Sequence, residues 1–261
     1  MDGDYRATTL FNKGVRSYIT GSVLNDIDSQ NNIYFITGNS SGLDINNDNT
    51  IDIPINYSKT NSSISKYDFN GNLLWFNALI ANFGSIKILK FKVDNNDDLL
   101  IFGEFEGEGY FDSNSNDMIA SSLDENSTYK TNFFVAKYNS EGELLWLNRL
   151  INNMYFRYSS NGSHKLALDD NNNIYLQGVI NKNTDNDTII DIDPRDDFAF
   201  YVNFPDDASN SVFPLFVKYD TQGNIVFAKV GDPKLYSEAR RSSIAIYDNK
   251  LQFLFYNDVR D

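Results

Sequence analysis

The sequence VAKYNSEGELLW, residues 135–146, has two further copies in this chain. They are ISKYDFNGNLLW at residues 64–75 and FVKYDTQGNIVF at residues 216–227. In each copy, apolar residues flank a turn in which Asp or Asn is followed three positions later by Gly. Because the Asp or Asn side chain caps such a turn and Gly supplies a positive φ, each copy predicts a β-hairpin.

Another hairpin is predicted upstream of each copy. Its Asp- and Asn-rich turn begins DSQNNIY at residues 28–34, DNNDDLL at 94–100 and DDNNNIY at 169–175. The strand after the turn ends at Gly38, Gly103 or Gly178. Two hairpins, or about four strands, therefore recur at roughly seventy to eighty residues, which predicts an all-β chain of β-propeller blades lengthened by insertions.

The apolar pattern within the strands supports this interpretation. Residues 133–136 and 215–217 are apolar at successive positions and do not alternate with polar residues. A sheet with one solvated face would alternate, so both faces of these sheets are expected to be buried. Blades packed between two neighbours have this property.

The 261 residues are predicted to form a single β-propeller domain, 1–261, with complete repeats at about residues 22–83, 84–160 and 161–240. Residues 241–261 supply only a first hairpin, and residues 1–21 contain a degenerate second hairpin. Pairing of these two halves in one split blade predicts four blades with no open edge strand. The alternative is that the chain is a truncated piece of a larger propeller.

These features together resemble the SBBP-type bacterial β-propeller repeat. The resemblance is carried by the Asp/Asn-rich turn, Ile-Tyr-x-x-Gly at residues 174–178, the Asp-rich insertion at 190–194 and the Lys-Tyr-Asp hairpin. It covers nearly the whole chain after about residue 22. It implies a secreted or surface-attached bacterial protein with no catalytic residues to carry over. The chain departs from the family in its longer insertions and in having Phe227 where the other copies have Trp.

Composition excludes several partners and chemistries. The formal net charge of -14 argues against nucleic acid or an anionic membrane as partner, and no apolar run approaches the ~20 residues of a membrane helix. We therefore predict neither nucleic-acid binding nor membrane insertion. Zero Cys excludes disulfides, thiolate nucleophiles and Cys-ligated zinc, and the single histidine, His164, leaves little scope for a catalytic triad.

The predicted location is extracellular or at the cell surface. A signal peptide is absent from this chain, because its first residues lack a charged segment followed by an apolar one. Such a start is compatible with a cytosolic protein or with an exported, trimmed one. The abundance of Asn and Asp in the turns is typical of secreted bacterial proteins and favours the second possibility.

The strongest chemical signal is DINNDNTIDI at residues 44–53. Oxygen ligands at alternate positions suit Ca²⁺, and the candidate ligands are Asp44, Asn46, Asp48, Thr50 through its carbonyl, and Asp52. Asn49 tolerates the left-handed backbone that a tight loop requires. The spacing resembles the calcium loops of integrin-type propeller repeats, so calcium is the predicted cofactor. A solvated Asp/Asn loop is the alternative, and residues 185–193 form a looser second candidate.

Two function classes remain open. The connections at about residues 39–61, 106–131 and 181–212 are longer than hairpin loops need to be and vary while the scaffold repeats. They favour a non-enzymatic secreted or surface binding or adhesion module, with an unknown surface protein or glycan as partner.

The alternative is a polysaccharide hydrolase or lyase that uses paired carboxylates. The candidate pairs lie at residues 169–170, 196–197 and 206–207. Adjacent acids in an Asp-rich chain are ordinarily solvated turn residues. Trp75 and Trp146 occupy equivalent positions of the repeat, which predicts packing between blades in preference to sugar stacking.

Overall fold

A computed structural model describes residues 24–39, 50, 61–112, 118–120, 132–150, 165–181, 188–193, 199–205, 212–232, 243–247 and 250–254. Every helix or strand assigned in these ranges is a β-strand, so the all-β prediction is confirmed. No helix in this part of the chain is long and apolar enough to cross a membrane. Within the same ranges the sheets do not close into a propeller.

The strands follow the predicted repeats. The first repeat contains β1 (Leu24–Ile27), β2 (Ile33–Asn39), β3 (Asn61–Tyr67) and the first part of β4 (Leu73–Val93). The second contains the rest of β4, β5 (Leu99–Tyr110), β6 (Met118–Ala120), β7 (Asn132–Tyr138) and β8 (Leu144–Leu150). The third contains β9 (Lys165–Leu168), β10 (Ile174–Asn181), β11 (Ile189–Asp191), β12 (Tyr201–Asn203), β13 (Val212–Tyr219) and β14 (Ile225–Val230). A last hairpin consists of β15 (Ser243–Tyr247) and β16 (Lys250–Leu254).

The first two repeats share one strongly curled antiparallel sheet, shaped like half a barrel. Its strand order is β1-β2-β3-β4-β5-β7-β8, with β6 paired to β5. The first part of β4 pairs with β3 and the second part pairs with β5. The boundary predicted at residues 83/84 thus falls inside one continuous strand. The third repeat forms a separate four-stranded sheet, β14-β13-β10-β9.

A glycine allows β4 to bend where the two repeats meet. Gly84 has φ +105°, and a Cβ at this position would lie 1.7 Å from the backbone oxygen of Glu106. The register of β4 against β5 also shifts between Ala81 and Phe83. Glycine inside a strand marks close backbone approach, and a bulge increases the local bend. The strand therefore turns from one repeat into the next without ending.

The predicted hairpin turns are present in all three repeats. Gly71, Gly142 and Gly223 have φ of 85°, 86° and 81°. In the upstream turns the positive φ belongs to Asn31, Asp97 and Asn172. Asn and Asp reach this region more readily than other non-glycine residues. The paired-hairpin prediction is therefore confirmed.

The core lies between repeats, on both faces of the second one. Leu99 and Ile101 of β5 pack with residues of the first repeat such as Ile64. The alternate residue Leu100 packs with residues of the third repeat such as Val217. All seven residues of β7 are buried. The prediction of two buried faces is confirmed, and each fully buried aliphatic side chain contributes about 1.5–3 kcal/mol.

The strand that begins each repeat is called an inner strand, because it corresponds to the innermost strand of a predicted blade. The inner strands are β1, the second part of β4, β9 and β15. They lie in chain order, with β1 against β4, and β9 against both β4 and β15. The pairing of β15 with β16 confirms the predicted fourth first hairpin. Residues 1–21 lie outside the described residues, so their pairing with this hairpin stays a prediction.

Candidate functional site

The predicted calcium loop lies mostly outside the part of the chain that the structure describes. Of its ligands only Thr50 is described, at an exposed bend, whereas Asp44, Asn46, Asp48 and Asp52 are not. In the looser candidate, Oδ1 of Asp191 accepts hydrogen bonds from the backbone N of Asp193 at 3.0 Å and of Phe200 at 2.9 Å. Asp191 therefore caps the connection between β11 and β12. No group of three metal-ligating side chains occurs among the described residues.

The predicted carboxylate pair at residues 169–170 is divided between two environments. Asp169 is buried, and its Oδ1 accepts hydrogen bonds from the backbone N of Asn171 at 3.0 Å and of Asn173 at 2.9 Å. Asp170 is exposed. This is the geometry of a turn and not of two acids facing one scissile bond. The other candidates, His164 and the pairs at 196–197 and 206–207, lie outside the described residues.

An ion pair joins the two hairpins of each repeat. In each case a lysine of the Lys-Tyr motif contacts Oδ2 of the aspartate that begins the upstream turn: Lys66 and Asp28 at 3.0 Å, Lys137 and Asp94 at 2.9 Å, Lys218 and Asp169 at 3.6 Å. The aspartate side chains are at most 2% exposed. Breaking such a buried pair is strongly destabilising, because one charge is left without a partner.

The aspartates of two of these pairs are ionised at neutral pH. Burial alone would raise the pKa of Asp28, but hydrogen bonds from Asn32 and contact with Lys66 outweigh burial and lower this pKa. Burial is likewise outweighed at Asp169, whose pKa is lowered mainly by hydrogen bonds from Asn173. A general acid must hold its proton near the working pH. Asp28 and Asp169 are therefore structural anions and not proton donors.

The second repeat departs from this pattern at one position. Asn32 and Asn173 donate from Nδ2 to the turn aspartate at 2.8 Å in the first and third repeats. The equivalent residue of the second repeat is Asp98, which has no such donor when ionised. Oδ2 of Asp94 accordingly has no hydrogen bond of good geometry. The ammonium of Lys137 lies 2.9 Å from Asp94 and 2.8 Å from Asp98, so the two carboxylates share one positive charge.

The upstream turns of neighbouring repeats contact each other. The backbone N and Oγ of Ser29 donate to the Asp97 carboxylate at 2.8 and 2.6 Å, which connects the first two repeats. The backbone N of Asn95 donates to Oδ1 of Asn172 at 3.2 Å, which connects the second and third. The turns thus form one polar layer at one end of the inner strands.

The two tryptophans make equivalent contacts with the next repeat. Each indole Nε1 donates to a backbone oxygen in the downstream hairpin turn: Trp75 to Ser140 at 2.9 Å and Trp146 to Thr221 at 3.1 Å. A Cβ added to Gly142 or Gly223 would lie 2.7 or 2.9 Å from the respective indole. We call this contact the tryptophan seam. The seam confirms the predicted packing of the tryptophans between repeats. Phe227, which occupies the tryptophan position in the third repeat, is 48% exposed.

Sequence reasoning missed the role of the repeated lysine. Its signal was present, because Lys is unchanged in all three motif copies and Asp begins all three upstream turns. A charged residue repeated inside a strand needs a counter-charge if both faces of the sheet are buried. The nearest repeated acid is the turn aspartate, which is the partner that the structure shows.

No protein-family model matches the chain, and no similar curated protein is found. The resemblance to the SBBP-type repeat therefore stays a prediction. The fold and the repeated contacts define an all-β protein built from successive two-hairpin units.

Proposed function

We propose that this protein is a non-enzymatic binding or adhesion module of the bacterial β-propeller type, secreted or held at the cell surface. Its partner in this proposal is a surface protein or a glycan. The ion pairs and the tryptophan seam of the scaffold recur from repeat to repeat, whereas the connections between hairpins do not. This contrast supports the proposal. Binding residues are found disproportionately on such connections, because a rigid scaffold positions them.

One connection offers a described surface for a partner, and this observation carries the proposal. The hairpin of β11 and β12 is anchored by Ile192 and Val202, both buried in the core between repeats. The same hairpin leaves Ile189 54% exposed and Tyr201 61% exposed. Apolar and aromatic side chains held outward on an anchored hairpin are typical of contact surfaces, and Tyr is enriched at interfaces.

A four-bladed propeller is the arrangement that we propose for the scaffold. It is supported by the side-by-side order of the inner strands and by the repeated seam. Residues 1–21 would complete the unit that β15 and β16 begin. Phe227, the exposed equivalent of the seam tryptophans, would then contact the turn of this completed unit.

The hydrolase or lyase alternative gains no support from the described carboxylates. Asp28 and Asp169 are occupied by lysines and turn hydrogen bonds, and Asp191 caps a connection.

The proposed function is tested by binding of the labelled protein to a panel of immobilised bacterial surface glycans and to intact bacterial cells. We expect Tyr201→Ala and Ile189→Ser to reduce binding at least tenfold without lowering the melting temperature. Phe69→Ala is the matched control, because Phe69 is 77% exposed but lies in a scaffold turn. Absence of wild-type binding, or equal binding by all variants, would contradict the proposal.

A further inference from the structure

The hairpin turn between β3 and β4 carries an Asn-Gly pair that its two counterparts lack. Gly71 is preceded by Asn70, whereas the equivalent Gly142 and Gly223 are preceded by Glu and Gln. The side chain of Asn70 is exposed. An asparagine amide followed by glycine is open to attack by the next backbone nitrogen, because glycine has no Cβ to obstruct the approach.

The same turn is less covered than the other two. Gly142 and Gly223 are buried, and the indoles of the tryptophan seam lie over both. The chain has 2 Trp, and both are used at those turns, so neither covers Gly71, which is half-buried. Phe69, in the same turn, is 77% exposed. Water therefore reaches the Asn-Gly pair.

Hydrogen bonds to Asp68 hold this turn. The backbone N of Gly71 donates to the carbonyl of Asp68 at 2.9 Å, and the backbone N of Asn72 donates to its Oδ1 at 2.7 Å. The first bond has to open before the Gly71 nitrogen can react. Exposed turns open locally at a small fraction of the free energy of global unfolding. The reaction therefore needs no disruption of the core.

We propose that Asn70 is a site of spontaneous deamidation in the folded protein. In the opened turn the backbone nitrogen of Gly71 loses its proton to hydroxide and attacks Cγ of Asn70. The new N–Cγ bond closes a succinimide ring, and the Cγ–Nδ2 bond breaks to release ammonia. Water then opens the ring at either carbonyl and yields aspartate or isoaspartate, with no oxidation or reduction. This turn is a different element from the exposed hairpin of β11 and β12, so the two proposals fail independently.

The reaction changes both the charge and the backbone of the turn. Each product replaces a neutral amide with a carboxylate, so the formal net charge of -14 becomes one unit more negative. Isoaspartate also inserts a methylene into the main chain, inside the segment that the hydrogen bonds to Asp68 span. The modified protein should therefore separate from the intact protein on an anion-exchange column.

Peptide mapping by mass spectrometry tests the site in the folded wild-type protein, kept at pH 7 and sampled over several weeks. We expect NH to be replaced by O at Asn70, and an isoaspartate-specific methyltransferase assay to detect the isoaspartyl product. Conversion should be faster at pH 9, because the Gly71 nitrogen must lose its proton. Asn72 is an internal control, since it is also exposed but is followed by Leu73, whose side chain obstructs the attack.

Asn70→Gln is the matched variant, because Gln222 already stands at the equivalent position of the third repeat. Glutamine has to close a larger ring, so the same peptide of this variant should stay unchanged over the same period. Unmodified Asn70 in the folded wild type would overturn the proposal, and so would equal conversion of Asn70 and Asn72. Conversion of Asn70 only after urea denaturation would overturn it as well, because the site is assigned to the folded state.

Discussion

Lys137 is 5% exposed and contacts two carboxylates, of which Asp94 is fully buried. The ammonium is therefore the counter-charge of a polar group that the sheet cannot expose to water. A surface ion pair of the same composition would contribute little, because solvent screens it. Burial changes this outcome at Lys137, since a carboxylate left without a partner is poorly solvated.

Replacing Lys137 tests the structural role of the ion pairs. We expect Lys137→Met to lower the free energy of unfolding by about 3–5 kcal/mol, because two carboxylates lose their shared counter-charge. Lys87→Met is the control, since Lys87 is 51% exposed and its pair with Glu104 should contribute at most about 1 kcal/mol. Urea denaturation at pH 7 measures both, and equal losses in the two variants would contradict this role.

The same pairs predict how stability depends on pH. The folded-state pKa of Asp169 is lowered, so its contribution is present above its unfolded pKa of about 3.9 and is lost as pH falls through the folded value. We expect the wild type to lose more stability between about pH 5 and pH 2 than Asp169→Asn, which cannot titrate there. Urea denaturation at several pH values provides the comparison. Parallel curves for the two proteins would show that Asp169 does not contribute.

At the level of elements, β4 shows what a local pattern cannot predict. A repeat boundary at residues 83/84 was expected, yet the strand continues through it. Gly84 lies opposite Gly107 of β5, and both have positive φ. The strand can bend there because Gly84 has no Cβ, which would otherwise collide with the backbone oxygen of Glu106. The close approach of the two backbones involves β5, so the sequence next to Gly84 does not predict it.

The seam predicts a difference between two adjacent residues of β8. We expect Trp146→Ala to lower the free energy of unfolding by about 3 kcal/mol, because the indole packs on Gly223 and the core of the third repeat. Leu145→Ala should cost much less, since Leu145 is 50% exposed. Chemical denaturation separates the two variants. A loss below about 1 kcal/mol in Trp146→Ala would contradict the seam.

The loop at residues 44–53 carries the calcium prediction. If Asp44, Asp48 and Asp52 converge, their repulsion has to be offset by a cation. Ca²⁺ should then raise the melting temperature, Mg²⁺ should substitute poorly, and Asp48→Ala should abolish the rise without destabilising the metal-free protein. Melting curves with chelator and with each metal measure this. An unchanged wild-type curve in millimolar Ca²⁺, with no heat in calorimetric titration, would identify a solvated loop.

For the whole molecule, the sequence predicts features that depend on a few neighbouring residues. It does not predict which distant segments come into contact. The turns around Gly142 and Asn172 are predictable, because capping and positive φ need only a few neighbouring residues. The partner of Trp146 is predictable as a class, a neighbouring repeat, but not as the turn at Gly223.

Closure of the four repeats into a ring is a proposal that the packing of successive repeats supports. Each inner strand lies against the next, from β1 through β4 and β9 to β15. Four units in a closed ring would place the last inner strand beside the first. A truncated array would leave these two ends apart.

The distance between the first repeat and the last hairpin tests this closure directly. Because the chain has no cysteine, spin labels can be placed specifically at Ile27→Cys of β1 and Gln252→Cys of β16, both exposed positions. Sheets packed face to face lie about 10 Å apart, so pulsed electron paramagnetic resonance should give one narrow distance below roughly 25 Å once the label arms are included. A broad distribution, or a distance beyond about 40 Å in a variant that melts like the wild type, would show that the ring is open.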